Sequence, residues 1–547
     1  MGGARPSRLP LVKFHPEDTR QPERLVGCCF VTEVKGEILQ PKFTGDILPS
    51  IIVFLVALPL CMGIAIASGM PPASGLITGI IGGILVGTIA GSPLQVSGPA
   101  AGLAVLVAQI VRDHGVLALG PMLVLAGAIQ IAAGMLKAGQ WFRAISPAVI
   151  YGMLSGIGIL IFAGQAHVML DDKPKSNGVV NLMAIPQAVY QDLVSPDGHA
   201  RQPLMLGLLT IISLLLWNQF RPKALKMIPG ALIGVVLATL TALLIDAKVN
   251  YVTVPANLLA AANWISVDAW SVLGNKAALI AALTLAFVAS AETLLSAGAV
   301  DRMHDGPRTD YDQELRAQGV GNMLCGLAGA LPMTGVIVRS SANVQAGAKT
   351  RWSAVMHGFW ILAFVSAVPF VLERVPVSAL AGILVFTGYK LVDWKSAKAL
   401  AKYGKMPLWI FAATVAGIVG VDLLTGVILG IVLSFGKLIH TASQIDIWVQ
   451  QGADHKRADV HISGAATFVK LPVIAQTFEK LPRNIECHVH FAELVQIDHT
   501  VMDLLTSLED EFERAGGKLV TEWDHLHARH ENQIRGTQQD QESRIER

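Results

Sequence analysis

The sequence predicts an α-helical, polytopic membrane protein that ends in a small α/β domain. Of its 547 residues, 52% are hydrophobic and 15% are charged, whereas soluble domains carry about 25% charged residues. Apolar runs able to cross a bilayer, about 20 residues each, recur between Asp46 and His440. We therefore divide the chain into an N-terminal arm (1–45), a transmembrane domain (46–440), an α/β domain (441–527) and a polar tail (528–547) that we expect to be disordered.

The transmembrane domain is predicted to contain fourteen spans, seven in each half, and several of them are short for a bilayer. The first half should place spans near 47–68, 72–90, 97–111, 116–136, 145–166, 203–217 and 228–246. The second half should place them near 277–298, 314–331, 334–347, 353–372, 377–390, 407–421 and 424–440. Seven spans per half orient the two halves oppositely, which is the inverted-repeat arrangement of many transporters.

Charge supports a cytoplasmic position for both termini. With fourteen spans, the loops on the same side of the membrane as the N-terminus contain about twice as many lysine and arginine residues as the loops on the other side. The positive-inside rule assigns such loops to the cytoplasm. Residues 1–45 lack the apolar core of a cleavable signal peptide. The net charge of +2 and the lack of a dense basic run argue against a nucleic-acid partner.

Two of the predicted spans are interrupted by proline, glycine and hydroxyl residues, at 91–102 and 331–343. Unpaired backbone groups are costly in lipid, so such breaks persist only where they line a cavity or are buried in protein. Breaks at corresponding places in two halves indicate a central substrate site, although they could also serve only to kink the helices. Two helix N-termini that meet there would bind an anion. The predicted contacts are the backbone around Gly98, Ala100, Ala101, Val336, Ile337 and Val338, and the hydroxyls of Ser97 and Thr334.

Two charged residues lie inside apolar segments, where charges are expensive and usually functional or paired. Arg339 follows the second break, and its planar guanidinium suits an oxyanion. Glu292 lies near the middle of the span 277–298. A buried carboxyl suits proton binding, whereas added oxygen ligands would suit sodium; the candidates are Ser290, Thr293 and Ser296. A structural ion pair between Arg339 and Glu292 is the alternative, and it is compatible with both roles.

The C-terminal pattern predicts strands at 460–469, 486–491 and 518–522, and helices at 471–481 and 501–515. Alternation of strands and helices indicates a small α/β sandwich. His488 and His490 fall on one side of their strand, but neither they nor the tail histidines have a recognised metal-ligand spacing, so we predict no metal site.

Several motifs, in order along the chain, resemble those of the SulP/SLC26 inorganic anion transporters. They are Leu58–Ala65, Val96–Pro99, Ala282–Ser296, Glu314–Asn322, Gly326–Gly335 and Arg339–Arg351. The resemblance covers about residues 45–520. It implies a seven-plus-seven inverted repeat with a gate domain and a mobile core domain, a cytoplasmic STAS domain and a homodimer. Members move sulfate, bicarbonate, chloride or small carboxylates, often with sodium or protons.

The resemblance also implies roles for single residues. The anion would lie between the two half-helix ends, Arg339 would match the basic residue of the tenth span, and Glu292 would match the acidic residue that handles the coupling cation on the eighth. Leu60 occupies the position where many sulfate-type members carry glutamine. The less polar residue slightly favours membership of the bicarbonate-type branch. In the STAS-like domain His499 follows Asp498 where related anti-sigma-factor antagonists carry a phosphoacceptor serine, so a phosphorylation switch is in doubt.

We therefore expect a secondary active transporter of bicarbonate or sulfate in the bacterial inner membrane, coupled to Na⁺ or H⁺ and working by elevator-type alternating access. The partners would be the anion, membrane lipids, a second copy of the chain and a cytoplasmic regulator of the STAS-like domain, with no other cofactor. One alternative is a passive anion channel or exchanger. Another is a nucleobase carrier of the same architecture, but the Arg339 segment and the STAS-like domain argue against it. We do not expect an enzyme.

Overall fold

The computed structural model describes residues 43–521, apart from 141–145, 176, 195–200, 223–224, 226–227, 255–261, 393, 443, 453–455, 468–469 and 492–493. The predicted N-terminal arm up to residue 42, the end of the predicted α/β domain and the predicted disordered tail lie outside the described residues.

Helices dominate the region that the sequence predicts to be transmembrane. In the first half they are α1 (Phe43–Ala67), α2 (Pro72–Ile89, π-helical over Ile81–Val86), α3 (Ala101–His114), α4 (Val116–Met135), α5 (Pro147–Met169), α6 (Gly178–Val194), α7 (Arg201–Phe220) and α8 (Gly230–Leu244). In the second half they are α9 (Lys276–Asp301), α10 (Tyr311–Leu327), α11 (Ile337–Gln345), α12 (Trp352–Ala367), α13 (Val377–Leu391), α14 (Trp394–Ala401), α15 (Lys405–Gly420) and α16 (Leu423–Ala442). A helix therefore overlaps each of the fourteen predicted segments.

Among the described helices, 7 are long and apolar enough to cross a membrane: α1, α2, α4, α5, α7, α9 and α16. The apolar helices α8, α12, α13 and α15 are shorter, with 10–17 residues. Helix α6 was missed, because its segment contains Asn181 and Pro186 and was interpreted as part of an outside loop. The side chain of Asn177 caps it by accepting a hydrogen bond from the Val180 N–H at 2.8 Å.

The two predicted breaks meet as a short antiparallel ribbon. Strand β1 (Ser97–Pro99) lies between α2 and α3, and β2 (Met333–Gly335) lies between α10 and α11. Ser97 pairs with Gly335, and Pro99 pairs with Met333. In both halves a helix is thus followed by a short strand and then by a half-helix. Each strand supplies the backbone hydrogen-bond partners that the other would lack in lipid.

Helices α4 and α10 pack closely through glycine. A Cβ on Gly319 would lie 2.6 Å from the carbonyl oxygen of Gly127, and a Cβ on Gly127 would lie 2.5 Å from the carbonyl oxygen of Gly319. Small residues allow such backbone approach between membrane helices. Because α10 leads directly into β2, this contact helps to fix the position of the ribbon.

The C-terminal unit is a mixed sheet with two helices. Its elements are β3 (Ile445–Gln451), β4 (Arg457–Ala466), α17 (Leu471–Glu479), β5 (Glu486–His490), β6 (Leu494–Ile497), α18 (His499–Arg514) and β7 (Lys518–Thr521). Strand β4 pairs antiparallel with β3 and parallel with β5 and β6, and β5 pairs parallel with β7. The three predicted strands and both helices are present. Strands β3 and β6 were missed, since β6 is only four residues long and β3 has no fully buried face.

One face of this sheet carries its polar side chains. Val460 and Val489 point into the core, whereas His490 bonds Asp459 at 3.0 Å and His488 bonds Glu486 at 3.1 Å. Hydrogen bonds from Arg457 and His490 lower the pKa of Asp459 to about 2. In the described part of the chain no three His, Cys, Asp or Glu residues are grouped as metal ligands. Asp498 caps α18 by accepting from the Val501 N–H at 3.1 Å.

Replacing Gly319 with alanine should destabilise the protein, because the new methyl group would meet the backbone of α4 at 2.6 Å. Overpacking of this kind costs about 1–3 kcal/mol. The control is Gly436→Ala on α16, where a Cβ has no neighbour within 4 Å. Thermal unfolding of the detergent-solubilised full chain should show a clear loss for Gly319→Ala and no loss for Gly436→Ala. Equal unfolding temperatures would contradict the close packing.

Candidate functional site

A cavity of about 650 Å³ is enclosed by α1, α3, α9 and α11 together with α5 and α13. At one end it reaches the first turns of α3 and α11 and the carboxyl group of Glu292. Elsewhere it is lined by Arg302 and Arg308, between the end of α9 and the start of α10. The predicted site residues that line it are Ala101, Val336, Ile337, Val338, Arg339, Glu292 and Ser296.

The N-termini of α3 and α11 both open toward this cavity. Neither Ala100 nor Val336, the residues that precede the two helices, caps its helix with a side chain. The first N–H groups of a helix have no partner within it and carry partial positive charge. The N–H of Val336 donates to Val96 O at 2.9 Å, so this predicted donor is already engaged. On α11 the available donors begin at Ile337.

Arg339 is fully buried, with 0% of its surface exposed. Its Nη2 donates to Pro99 O at 3.4 Å, and within the described structure its Nε and Nη1 have no hydrogen-bond partner. The guanidinium lies against Gly98, where a Cβ would be 2.3 Å from Nη1. Gly98 thus allows the close approach of Arg339, and the guanidinium lies directly behind β1.

Glu292 lies against the first turn of α3. A Cβ on Gly102 would be 2.8 Å from each carboxyl oxygen, and among the described residues Glu292 Oε2 has no hydrogen-bond partner. The ion pairs formed by described residues do not include one between Glu292 and Arg339. The site therefore holds a buried cation and a partly buried carboxyl group that do not form a direct salt bridge.

The sequence model of the sulfate permease family matches residues 43–414. The chain belongs to this family. Its membership confirms the predicted resemblance, and it identifies a multi-pass membrane transporter rather than an enzyme.

The chain is similar in sequence to transporters from several bacteria. The chain is 29% identical to a Bacillus subtilis protein named "Putative sulfate transporter YvdB", over 76% of this chain and 77% of that one. It is 26% identical to the bicarbonate transporter BicA of Picosynechococcus, over 73% and 70%.

Solved structures show a similar fold. The transmembrane domain of a cyanobacterial BicA matches with a TM-score of 0.61 at 24% identity, over 71% of this chain and 98% of that one. SLC26A9 matches with a TM-score of 0.70 at 15% identity, over 87% and 84%.

In this family member, several predicted site residues belong to the framework behind the cavity. Ser97 Oγ accepts a hydrogen bond from Gln318 at 2.6 Å. Thr293 Oγ1 accepts from the Gly335 N–H at 3.1 Å, and Ser290 donates to Ala286 O at 2.6 Å. The predicted residues that do not line the cavity are Ser97, Gly98, Ala100, Thr334, Ser290 and Thr293. Of the predicted sodium ligands, Ser296 alone lines the cavity together with Glu292.

Sequence reasoning missed the buried amides that hold the ribbon in place. Asn322 bonds the backbone of Met333 through both of its polar atoms, accepting from the N–H at 2.8 Å and donating to the carbonyl at 3.2 Å. Gln318 links Ser97 to the carboxylate of Glu314, which accepts from it at 2.9 Å. A signal was present, because residues 314, 318 and 322 are spaced by four and share one helix face.

Replacing Arg339 with methionine should stabilise the anion-free protein and abolish its response to anions. Methionine has no buried charge, and an unpaired buried charge costs about 3–5 kcal/mol. A ligand that binds only the folded state raises the unfolding temperature as its concentration rises. Sulfate and bicarbonate titrations of the solubilised full chain should therefore stabilise the wild type and leave Arg339→Met unchanged.

The control is Arg316→Met, at an exposed position of α10. It should keep the wild-type response to both anions. An Arg339→Met variant that still responds would remove this side chain from the site, and one that is less stable than the wild type would show that Arg339 is structurally paired.

Proposed function

We propose that the chain is a secondary active transporter that carries bicarbonate or sulfate across the bacterial inner membrane. The observation that supports this most strongly is the position of Arg339. Two of its donors lack partners, and they lie beside two helix N-termini that have no side-chain caps. A small oxyanion between these helix ends would meet both the N–H groups and the field of the guanidinium. The names of the relatives YvdB and BicA agree with an anionic substrate.

The shape of the cavity supports an inward-open arrangement. Arg302 and Arg308 line it and lie on a loop that the fourteen-span topology assigns to the cytoplasm. We propose that α1, α3, α9 and α11 belong to a mobile core that carries the anion past α5 and α13 of the gate, in an elevator-type motion. Homodimer formation and control through the C-terminal α/β unit are parts of the same proposal.

Glu292 provides a reason for cation coupling. A carboxylate beside α3 repels an anion at the same helix terminus, and in a partly buried site this repulsion is weakly screened. A proton or a sodium ion on Glu292 would remove it. Ser296 offers one further oxygen ligand in the same cavity. Coupling would then follow from charge balance, because neither ion is stable in the site without the other.

Uptake of labelled bicarbonate and labelled sulfate into proteoliposomes tests the function. We expect an inward gradient of sodium, or of protons, to stimulate uptake of one of the two anions. Glu292→Gln should lose this stimulation, because the amide is neutral and binds neither cation well. The matched control is Glu373→Gln, at an exposed position after α12, which should retain it.

Each other result has a definite meaning. Uptake that ignores both gradients and is unchanged in Glu292→Gln would indicate exchange or passive conduction and remove Glu292 from the mechanism. Uptake of neither anion by the folded wild type would refute the proposed substrates.

A further inference from the structure

A second, smaller cavity lies further along the same three helices as the first. It has a volume of about 70 Å³ and reaches Ala67 on α1, Val105 on α3 and Leu160 on α5. The large cavity ends on these helices at Ile64, Gly102 and Ile157. The step is three residues on α1 and α5, and two residues on α3, where the small cavity begins at Ala104. At 1.5 Å per residue this is about 3–5 Å, so at most one helical turn separates the two cavities.

The small cavity has a polar wall. Gln165 is 4% exposed and lines it, and in the described structure its side-chain amide forms no hydrogen bond. Lys175 and Arg112 also line it. Asn181 fixes the loop beside it, since its side chain accepts from the Lys175 N–H at 2.7 Å and donates to Asn177 O at 2.9 Å. The amide atoms of Gln165 are not among the fully buried polar atoms that lack a partner, so they face the space of the cavity and can contact a solute there.

The charges around this wall favour an anion. The side chain of Lys175 bonds Asp172 at 3.0 Å. The buried ring of His167 contacts Asp172 Oδ2 at 2.8 Å and Asn181 O at 3.0 Å. Burial raises the pKa of Asp172, but hydrogen bonds from Lys175 and His167 outweigh it and lower this pKa. Lys175 and Arg112 thus line the cavity as two cations, whereas Asp172, which Lys175 bonds, does not line it.

We propose that this cavity is an outer subsite for the transported oxyanion, occupied before the anion reaches the central site. The inference rests on the proposed function for the identity of the anion and for the sidedness of the membrane. A buried water needs about 10–15 Å³ on this measure of volume, so a cavity of about 70 Å³ can hold an anion of four or five heavy atoms. Gln165 would donate to an oxyanion oxygen, and the cations would raise the local anion concentration.

Cysteine labelling tests the subsite without requiring transport. Gln165→Cys in the full chain, reconstituted in vesicles, would be treated from outside with membrane-impermeant methanethiosulfonates, one anionic and one cationic. We expect the anionic reagent to react about tenfold faster, as electrostatic steering allows. Sulfate or bicarbonate should slow its reaction at constant ionic strength. Gln187→Cys, on an exposed part of α6, should show neither effect, and the parent chain provides the background.

A matched lysine pair tests the source of the charge. Lys175→Gln in the Gln165→Cys chain should reduce the preference for the anionic reagent. Lys173→Gln, two residues away and exposed, should leave it unchanged. The proposal is wrong if the two reagents react equally and neither anion protects. It is also wrong if the cysteine reacts only from the inside, or from neither side.

Transport kinetics separate this proposal from the proposed function. Gln165→Glu should raise the external KM about tenfold by repelling the anion, with a maximal rate within about twofold of the wild type, and Gln187→Glu should change neither value. Anion protection of Gln165→Cys in a chain that transports neither anion would support the subsite and refute the function. Wild-type transport without anion protection would support the function and refute the subsite.

Discussion

The rest of this structure depends on one constraint: backbone N–H and C=O groups in the middle of the membrane need hydrogen-bond partners. A break in a lipid-embedded helix exposes N–H and C=O groups that no water can satisfy. Here the two breaks satisfy each other through the ribbon that pairs Ser97 with Gly335. Because each strand needs its partner from the other half, neither half can form its site alone. The same pairing brings the N-termini of α3 and α11 together, so the structural solution and the binding geometry have one origin.

The ribbon in turn depends on buried polar side chains that bond to it. Gln318, Asn322 and Thr293 each bond the ribbon or its residues, as buried polar groups must. Arg339 and Glu292 differ in that they are ionisable groups that line the cavity and keep at least one polar atom without a partner, whereas Gln318, whose Oε1 also lacks a partner, is a neutral amide that does not line the cavity. Unpaired groups of this kind cost stability, and they persist where a ligand completes them. The contrast between neutral side chains that bond the ribbon and two ionisable groups that line the cavity separates the residues that hold the site from those that are free to act.

Sequence reasoning predicted the segments of this fold well because bilayer thickness sets the length and composition of a span. It located both breaks, since Pro99 and Pro332 stand out in apolar runs. It did not give the register of β1 on β2, which joins residues far apart in the chain. For the same reason it did not give the hydrogen bonds of Ser97 and Thr293, whose partners Gln318 and Gly335 lie on α10 and β2. Helix α6 and strands β3 and β6 were missed because they are short or only partly apolar.

The two cavities set the size of the step that the proposed alternating access would need. They are separated by at most one helical turn on α1, α3 and α5. Packed helices shift between discrete arrangements, and a displacement of one turn is a known step. A core that slid by one turn against α5 would bring the ends of α3 and α11 level with the residues that now line the small cavity. The same displacement would withdraw them from Pro147, Ile150 and Tyr151 in the first turns of α5, which line the large cavity. A single step would therefore open the site to one side while closing it to the other, without breaking the ribbon that holds it.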